Sequence, residues 1–203
     1  MILYYVHDPM CSWCWGFRPT WTKILNKLPQ EIDIKYLLGG LAPDSDEPMA
    51  DTMQLQIASY WKKIQQHIPE TKFNFDFWKN CQPRRSTYPA CRAVIAAREQ
   101  NPELERSMIK AIQTAYYLKA KNPSDDEVLI ELALAFNLDT VVFEADLNAK
   151  ETQQTLEAEI MLAQRMGAQD FPSMILEIEG NYQIVPLDYN NEAGALDFIL
   201  NKL

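Results

Sequence analysis

A chain of 203 residues holds one large domain or two small ones and buries roughly 70% of its unfolded surface, so its core needs neither disulfides nor a metal. Hydrophobic residues at 47% and charged residues at 23% exclude a disordered or collagenous chain. Twenty-eight acidic residues against 19 basic ones, a net charge of -9, argue against non-specific nucleic-acid binding and against docking on anionic lipid.

The first element, Ile2 to Val6, is apolar, β-branched and aromatic, and Asp8-Pro9 ends it; it reads as a buried strand. A helix is expected from about Cys14 to Leu28, with Phe17, Trp21, Ile24, Leu25 and Leu28 at helical spacing and Pro29 as its stop. Ile32 to Leu38 alternates as a second strand and ends at Gly39-Gly40, which completes a βαβ unit. From about Met49 to Met166 the period is helical, broken by prolines. Leu55 to Ile64 gives one helix, a second starts near Ser86-Thr87 and runs through Val94 and Ala97, and Leu104 to Tyr116 marks a third. Ser124 and Glu127 have the spacing of a reciprocal capping pair ahead of Val128, Leu129, Leu132 and Phe136. A last helix of this block, about Ala149 to Met166, stops at Gly167. Met174 to Ile178, the turn Glu179-Gly180-Asn181 and Tyr182 to Val185 read as a hairpin, and Asn191 to Leu203 closes the chain as a helix.

The expected fold is therefore α/β, a βαβ and a ββα piece forming one domain from residues 1-42 and 170-203, with an all-helical domain inserted at 43-169. No run of 18 apolar residues occurs, and Met1 to Val6 lacks a basic leader and is followed by His7-Asp8-Pro9 instead of a cleavage site. The expectation is a cytoplasmic protein with no membrane partner.

Cys11-Ser12-Trp13-Cys14 lies between the end of a strand and the start of a helix. Cys11 then faces the positive end of the helix dipole, which favours a thiolate, while Cys14 falls within the first turn and is more covered. That asymmetry makes Cys11 the attacking sulfur and Cys14 the one that resolves the mixed disulfide. Zinc holding is the competing use of such a pair, but there is no second CxxC, and Cys81 and Cys91 have no histidine at matching spacing.

Asp8-Pro9-Met10-Cys11-Ser12-Trp13-Cys14-Trp15-Gly16-Phe17, Ser86 to Ala93, and Phe171-Pro172 together resemble the DsbA-like branch of the thioredoxin superfamily, especially its cytoplasmic, FrnE-like members with a helical insertion. The resemblance implies that Cys11 and Cys14 are the redox pair, that Pro172 is the cis-proline facing them, and that Pro19 lies where the active-site helix kinks. A cis turn there would leave the Phe171 backbone free to pair with an extended substrate. Ser12 and Trp13 replace the dipeptide whose histidine stabilises the thiolate in the periplasmic oxidants. Tyr5 stands where many relatives carry a buried acid six residues before the first cysteine. The extreme oxidising power of that group is therefore not carried over.

Around the pair, His7 reads as a strand-end surface or capping residue or as a proton-transfer group, a cation there lowering the thiol pKa and the Asp8 charge raising it. Trp13, Trp15 and Phe17 suggest an apolar platform for substrate, with at least one of them in the core. Cys91 reads as a small buried hydrophobe, Cys81 as a loop thiol, and Arg98, Glu99, Glu103, Glu105 and Arg106 as solvated helix faces. The functional expectation is a protein-disulfide oxidoreductase or isomerase acting on protein or peptide thiols and disulfides, without a bound cofactor and with glutathione as the candidate redox partner. In a glutathione-buffered cytosol it rests as the dithiol unless its potential lies below about -250 mV, which favours reduction or isomerisation over net oxidation. A glutathione-dependent isomerase or transferase of the chromene-carboxylate isomerase or kappa type is the alternative, although those enzymes generally carry serine at the place of Cys11. A zinc-holding binding module is the second alternative.

Overall fold

The computed structural model describes residues 1-203 throughout. Strand β1 (Ile2–His7) is buried along nearly its whole length because it lies inside a sheet covered on both faces. Helix α1 (Ser12–Lys27) carries the chain back to β2 (Asp33–Leu38), which pairs in parallel with β1. After the helical block, β3 (Ser173–Ile178) runs antiparallel to β1 on its other side, and β4 (Asn181–Val185) pairs antiparallel with β3. The sheet order is β2-β1-β3-β4. At the β3-β4 turn Glu179 and Gly180 have φ of 50° and 80°, the left-handed pair that a two-residue hairpin requires.

Alternation along β1 divides the core. Leu3 and Tyr5 pack with Phe17, Trp21 and Ile24 of α1 and with α9 (Ala193–Leu200), whereas Tyr4 and Val6 face Ala163 and Met166 near the end of α8 (Lys150–Arg165). The helical block between β2 and β3 has the largest apolar cluster, centred on α4 (Tyr88–Gln100) and α5 (Glu105–Lys119). Met10 and Leu38, which flank the cysteine loop, are part of that cluster, so the block grips the loop directly. Its remaining helices are α2 (Asp51–His67), the short α3 (Phe77–Asn80), α6 (Asp126–Ala135) and α7 (Thr140–Leu147). No helix is long and apolar enough to cross a membrane.

Several expectations need correction. Helix α1 starts at Ser12, two residues early, because the Trp15 amide already bonds the Cys11 carbonyl at 3.1 Å. Helices α3 and α7 have too few periodic positions to be read from sequence; α7 is announced only by Asp139, whose carboxylate accepts from the amides of Val141 and Val142. The Ser124-Glu127 capping pair does not form. Asp125 is the N-cap of α6 instead, and the Ser124 hydroxyl donates to the Ser86 carbonyl at 2.6 Å, tying two loops together. Arg98 and Glu105 are not on a solvated face. The Arg98 guanidinium, 22% exposed, joins Glu105 at 2.8 Å and Glu159 of α8 at 2.5 Å, while the other Glu159 oxygen accepts from the Leu38 amide on the sheet edge. Gly167, with φ of 93°, ends α8 as expected.

Candidate functional site

Cys11 is the N-cap residue of α1, at the mouth of a cavity of about 350 Å³. Its sulfur donates to the Phe171 carbonyl oxygen at 3.5 Å, and the Phe171-Pro172 peptide is cis. Cys14, one turn further along α1, is 1% exposed. Burial pushes the Cys14 thiol well above the ordinary range, reinforced by the neighbouring Cys11 thiol. All four cysteines carry free thiols.

The loop that presents the pair is fastened from beneath by Asp8. Its Oδ1 accepts from the Met10 amide at 2.7 Å, and its Oδ2 accepts from the Leu41 amide and the Thr87 hydroxyl at 2.7 Å each. The Cys91 thiol approaches the same Oδ2 at 3.5 Å. Burial raises the Asp8 carboxyl, and the donors of Leu41, Thr87 and Met10 pull it back. Three segments distant in sequence, the cysteine loop, the turn after β2 and the start of α4, thus meet on one carboxylate. In the sequence Thr87 is legible only as a residue at a helix start, and its hydrogen bond to Asp8 is not.

His7 is neither a surface residue nor a cation. It is 1% exposed, stacked on Tyr5 at 5.4 Å and met edge-on by Tyr36 at 5.7 Å, and burial pulls its pKa down to about 3, with a smaller push from Arg98. It cannot supply positive charge to the thiols near neutral pH. The aromatic residues after the pair separate. Trp13 borders the cavity and lies against Tyr189 and His67, Trp15 stacks on Tyr117 and donates to the Lys72 carbonyl, and Phe17 is buried in the sheet core. Only Trp13 among the three faces the thiol cavity.

Ser12 and Phe171 line the same cavity, and Met49, Met53 and Tyr60 form its wall on the helical side. Sequence reading missed the cavity's two cations. Arg84 is held by the Ser124 carbonyl and by Asp125 at 2.8 Å, whereas Arg85 is exposed and beside Tyr116. No signal short of the fold places them opposite Cys11, some 70 residues away. No set of three or more His, Cys, Asp or Glu is arranged to hold a metal ion. Cys81 donates to the Ala120 carbonyl and Cys91 to Asp8, so neither joins the pair.

The family model described as Thioredoxin matches residues 4–183. The chain belongs to the thioredoxin family. Its architecture is that of a DsbA-like thioredoxin-superfamily protein, with the helical block between β2 and β3. Among solved structures this family member is similar to a candidate protein disulfide isomerase from Nitrosomonas europaea, with 26% identity, TM-score 0.85 and coverage of 99% of this chain and 98% of that one. It is also similar to the cytosolic disulfide reductase DsbM from Pseudomonas aeruginosa, with 22% identity, TM-score 0.80 and coverage of 100% and 98%, and to a structure of DsbM with GSH, with 23% identity and TM-score 0.77. Among curated proteins it is similar to the ClpXP adapter protein SpxH of Bacillus subtilis, 22% identical over 172 residues; the match covers 85% of this chain and 56% of SpxH. The thioredoxin-family chain thus spans little more than half the length of the curated relatives it matches.

Proposed function

We propose that the protein is a thiol-disulfide oxidoreductase acting on peptide or protein disulfides. The observation that carries this reading is the difference between two sulfurs one helical turn apart: Cys11 lines the 350 Å³ cavity, whereas Cys14 does not and is 1% exposed. Cys11 attacks a substrate disulfide, one substrate sulfur leaves as a thiolate, and a Cys11 mixed disulfide forms. Cys14 then attacks the Cys11 sulfur and the second substrate thiolate departs, which leaves the substrate reduced and the enzyme oxidised. Phe171, Pro172, Ser12 and Trp13 border the place where the substrate chain would lie. The likeness to DsbM supports reduction as the net direction, and a cytosolic setting goes with it.

Glutathione is the proposed electron donor. It carries two carboxylates, and Arg84 and Arg85 are the cations lining the cavity of a strongly acidic protein. Likeness to the structure of DsbM with GSH supports the same choice. A second reading, as a protein-binding adapter, draws on the similarity to SpxH. One experiment separates them. A Cys14→Ala variant should accumulate a partner joined to Cys11 by a reducible bond, and Cys11→Ser should abolish both the adduct and disulfide turnover. Partner capture that survives Cys11→Ser, with no turnover by the unaltered protein, would favour the adapter.

A further inference from the structure

Two further cavities, of about 260 Å³ and about 170 Å³, share no lining residue with the one that Cys11 faces. Arg18 and Thr22 line both of them, so the two form one groove between α1 and α5. Along α5 it runs from Leu118 at one end to Arg106 at the other. That is about 18 Å of helix, the reach of roughly five residues of extended chain.

The groove is basic on an acidic protein. Lys72, Arg18, Lys110 and Arg106 line it, and Glu70 is its one acidic lining residue, although the chain carries 28 acidic residues against 19 basic ones. None of the four cations forms an ion pair within the protein. Glu105, next to Arg106 in sequence, is engaged by Arg98 instead. The half-buried Arg18 guanidinium lies over the Trp15 ring at 5.5 Å, and that of Arg106 over the Tyr36 ring at 5.8 Å, contacts that leave their N–H edges for an acceptor. Burial pulls the Arg18 pKa below its usual value, a cost that an incoming anion relieves.

We propose that this groove binds an acidic, extended segment of a protein partner, with carboxylates on Arg18 and Arg106 and apolar side chains against Pro19, Leu25 and Leu118. A phosphate group suits it less well. Phosphates gather where backbone amides converge, whereas these walls are the flanks of helices whose amides are spent on their own hydrogen bonds. The donors are therefore side chains spread along the groove, the pattern that spaced carboxylates match. A second copy of this chain would bring its own net charge of -9 and is disfavoured by repulsion. Because the Cys11 cavity shares none of these residues, a partner held here leaves that cavity open to a disulfide.

The test is fluorescence anisotropy of a fluorescein-labelled peptide of alternating glutamate and leucine, titrated with the full chain at low and high salt. Binding should saturate, weaken at high salt and persist in Cys11→Ser, which separates it from the disulfide chemistry. Arg18→Gln and Arg106→Gln should each weaken it about 10-fold or more, whereas Lys150→Gln, which removes the same charge from the start of α8, should change it less than about 2-fold. Neither arginine has an ion pair to lose, so both variants should unfold at the temperature of the unaltered protein. If Arg18→Gln unfolds early, Lys72→Gln and Lys110→Gln, at exposed positions, decide by the same titration. Equal losses in Arg18→Gln and Lys150→Gln, or no saturable binding, would overturn the proposal. Displacement of the peptide by inorganic tripolyphosphate below the peptide's own Kd would overturn it in favour of a phosphate ligand. Dimerisation in sedimentation runs that Arg18→Gln abolishes would overturn it in favour of a second copy.

Discussion

The Cys11 sulfur lies 3.5 Å from the carbonyl oxygen of Phe171, a residue 160 positions away in sequence. Phe171 is itself placed by Gly39. A Cβ at that glycine would come within 2.1 Å of the Phe171 ring. Gly39→Ala should therefore push the ring out of the thiol cavity and lower disulfide turnover at least several-fold. The ring is a movable side chain at the edge of the core, so thermal unfolding should shift far less than activity does. An alanine variant with normal turnover would show that the position of Phe171 is not limiting.

His7 gives a pH dependence of known sign. Its pKa falls from 6.5 to about 3 in the folded chain, because burial disfavours the charged imidazolium and the Arg98 cation adds a smaller push in the same direction. The unfolded chain thus takes up a proton that the folded chain refuses. Stability from this residue is complete above pH 6.5 and is lost as pH falls toward 3, at up to about 1.4 kcal/mol per unit. His7→Phe keeps the aromatic packing and should flatten that slope in urea titrations between pH 4 and 7.

Asp8 has the opposite sign. Its carboxyl is raised by burial, so the stability it contributes is fully present below its unfolded pKa and declines as pH rises through the folded value. Its contacts nonetheless make it costly to remove. Asp8→Ala leaves the amides of Met10 and Leu41 and the Thr87 hydroxyl without their acceptor, at a cost of about 3 kcal/mol or more. Asp8→Asn turns one acceptor into a donor facing other donors and should cost about 1–3 kcal/mol. Both should also raise the reactivity of Cys91 toward alkylating agents in the folded protein, read by mass spectrometry.

Arg85 is the exposed member of the arginine pair and has no ion-pair partner to lose. Arg85→Glu should weaken glutathione-driven turnover mainly through KM, by about 10-fold, and leave unfolding unchanged, since exposed charges contribute little to stability. Arg84→Glu should cost stability as well, because Arg84 joins Asp125 and the Ser124 carbonyl. Equal KM values for the unaltered protein and Arg85→Glu would remove Arg85 from substrate recognition.

Sequence alone determined the local features. A run such as Leu3-Tyr4-Tyr5-Val6 has one good use, a strand covered on both faces, and the turn before β4 is announced by Gly180, which takes a φ of 80° at no steric cost. The spacing of Cys11 and Cys14 at a helix start fixes which sulfur is outside, because a helix turn sets their relation without help from the rest of the chain. The tertiary structure alone decided what surrounds them. Asp8 becomes a clamp only when Leu41 and Thr87 arrive, and His7 is neutral because the folded chain buries it, with a smaller push from Arg98. Burial and electrostatic environment are properties of neighbours in space, and a periodic pattern records which side of an element is covered without naming the residues that cover it.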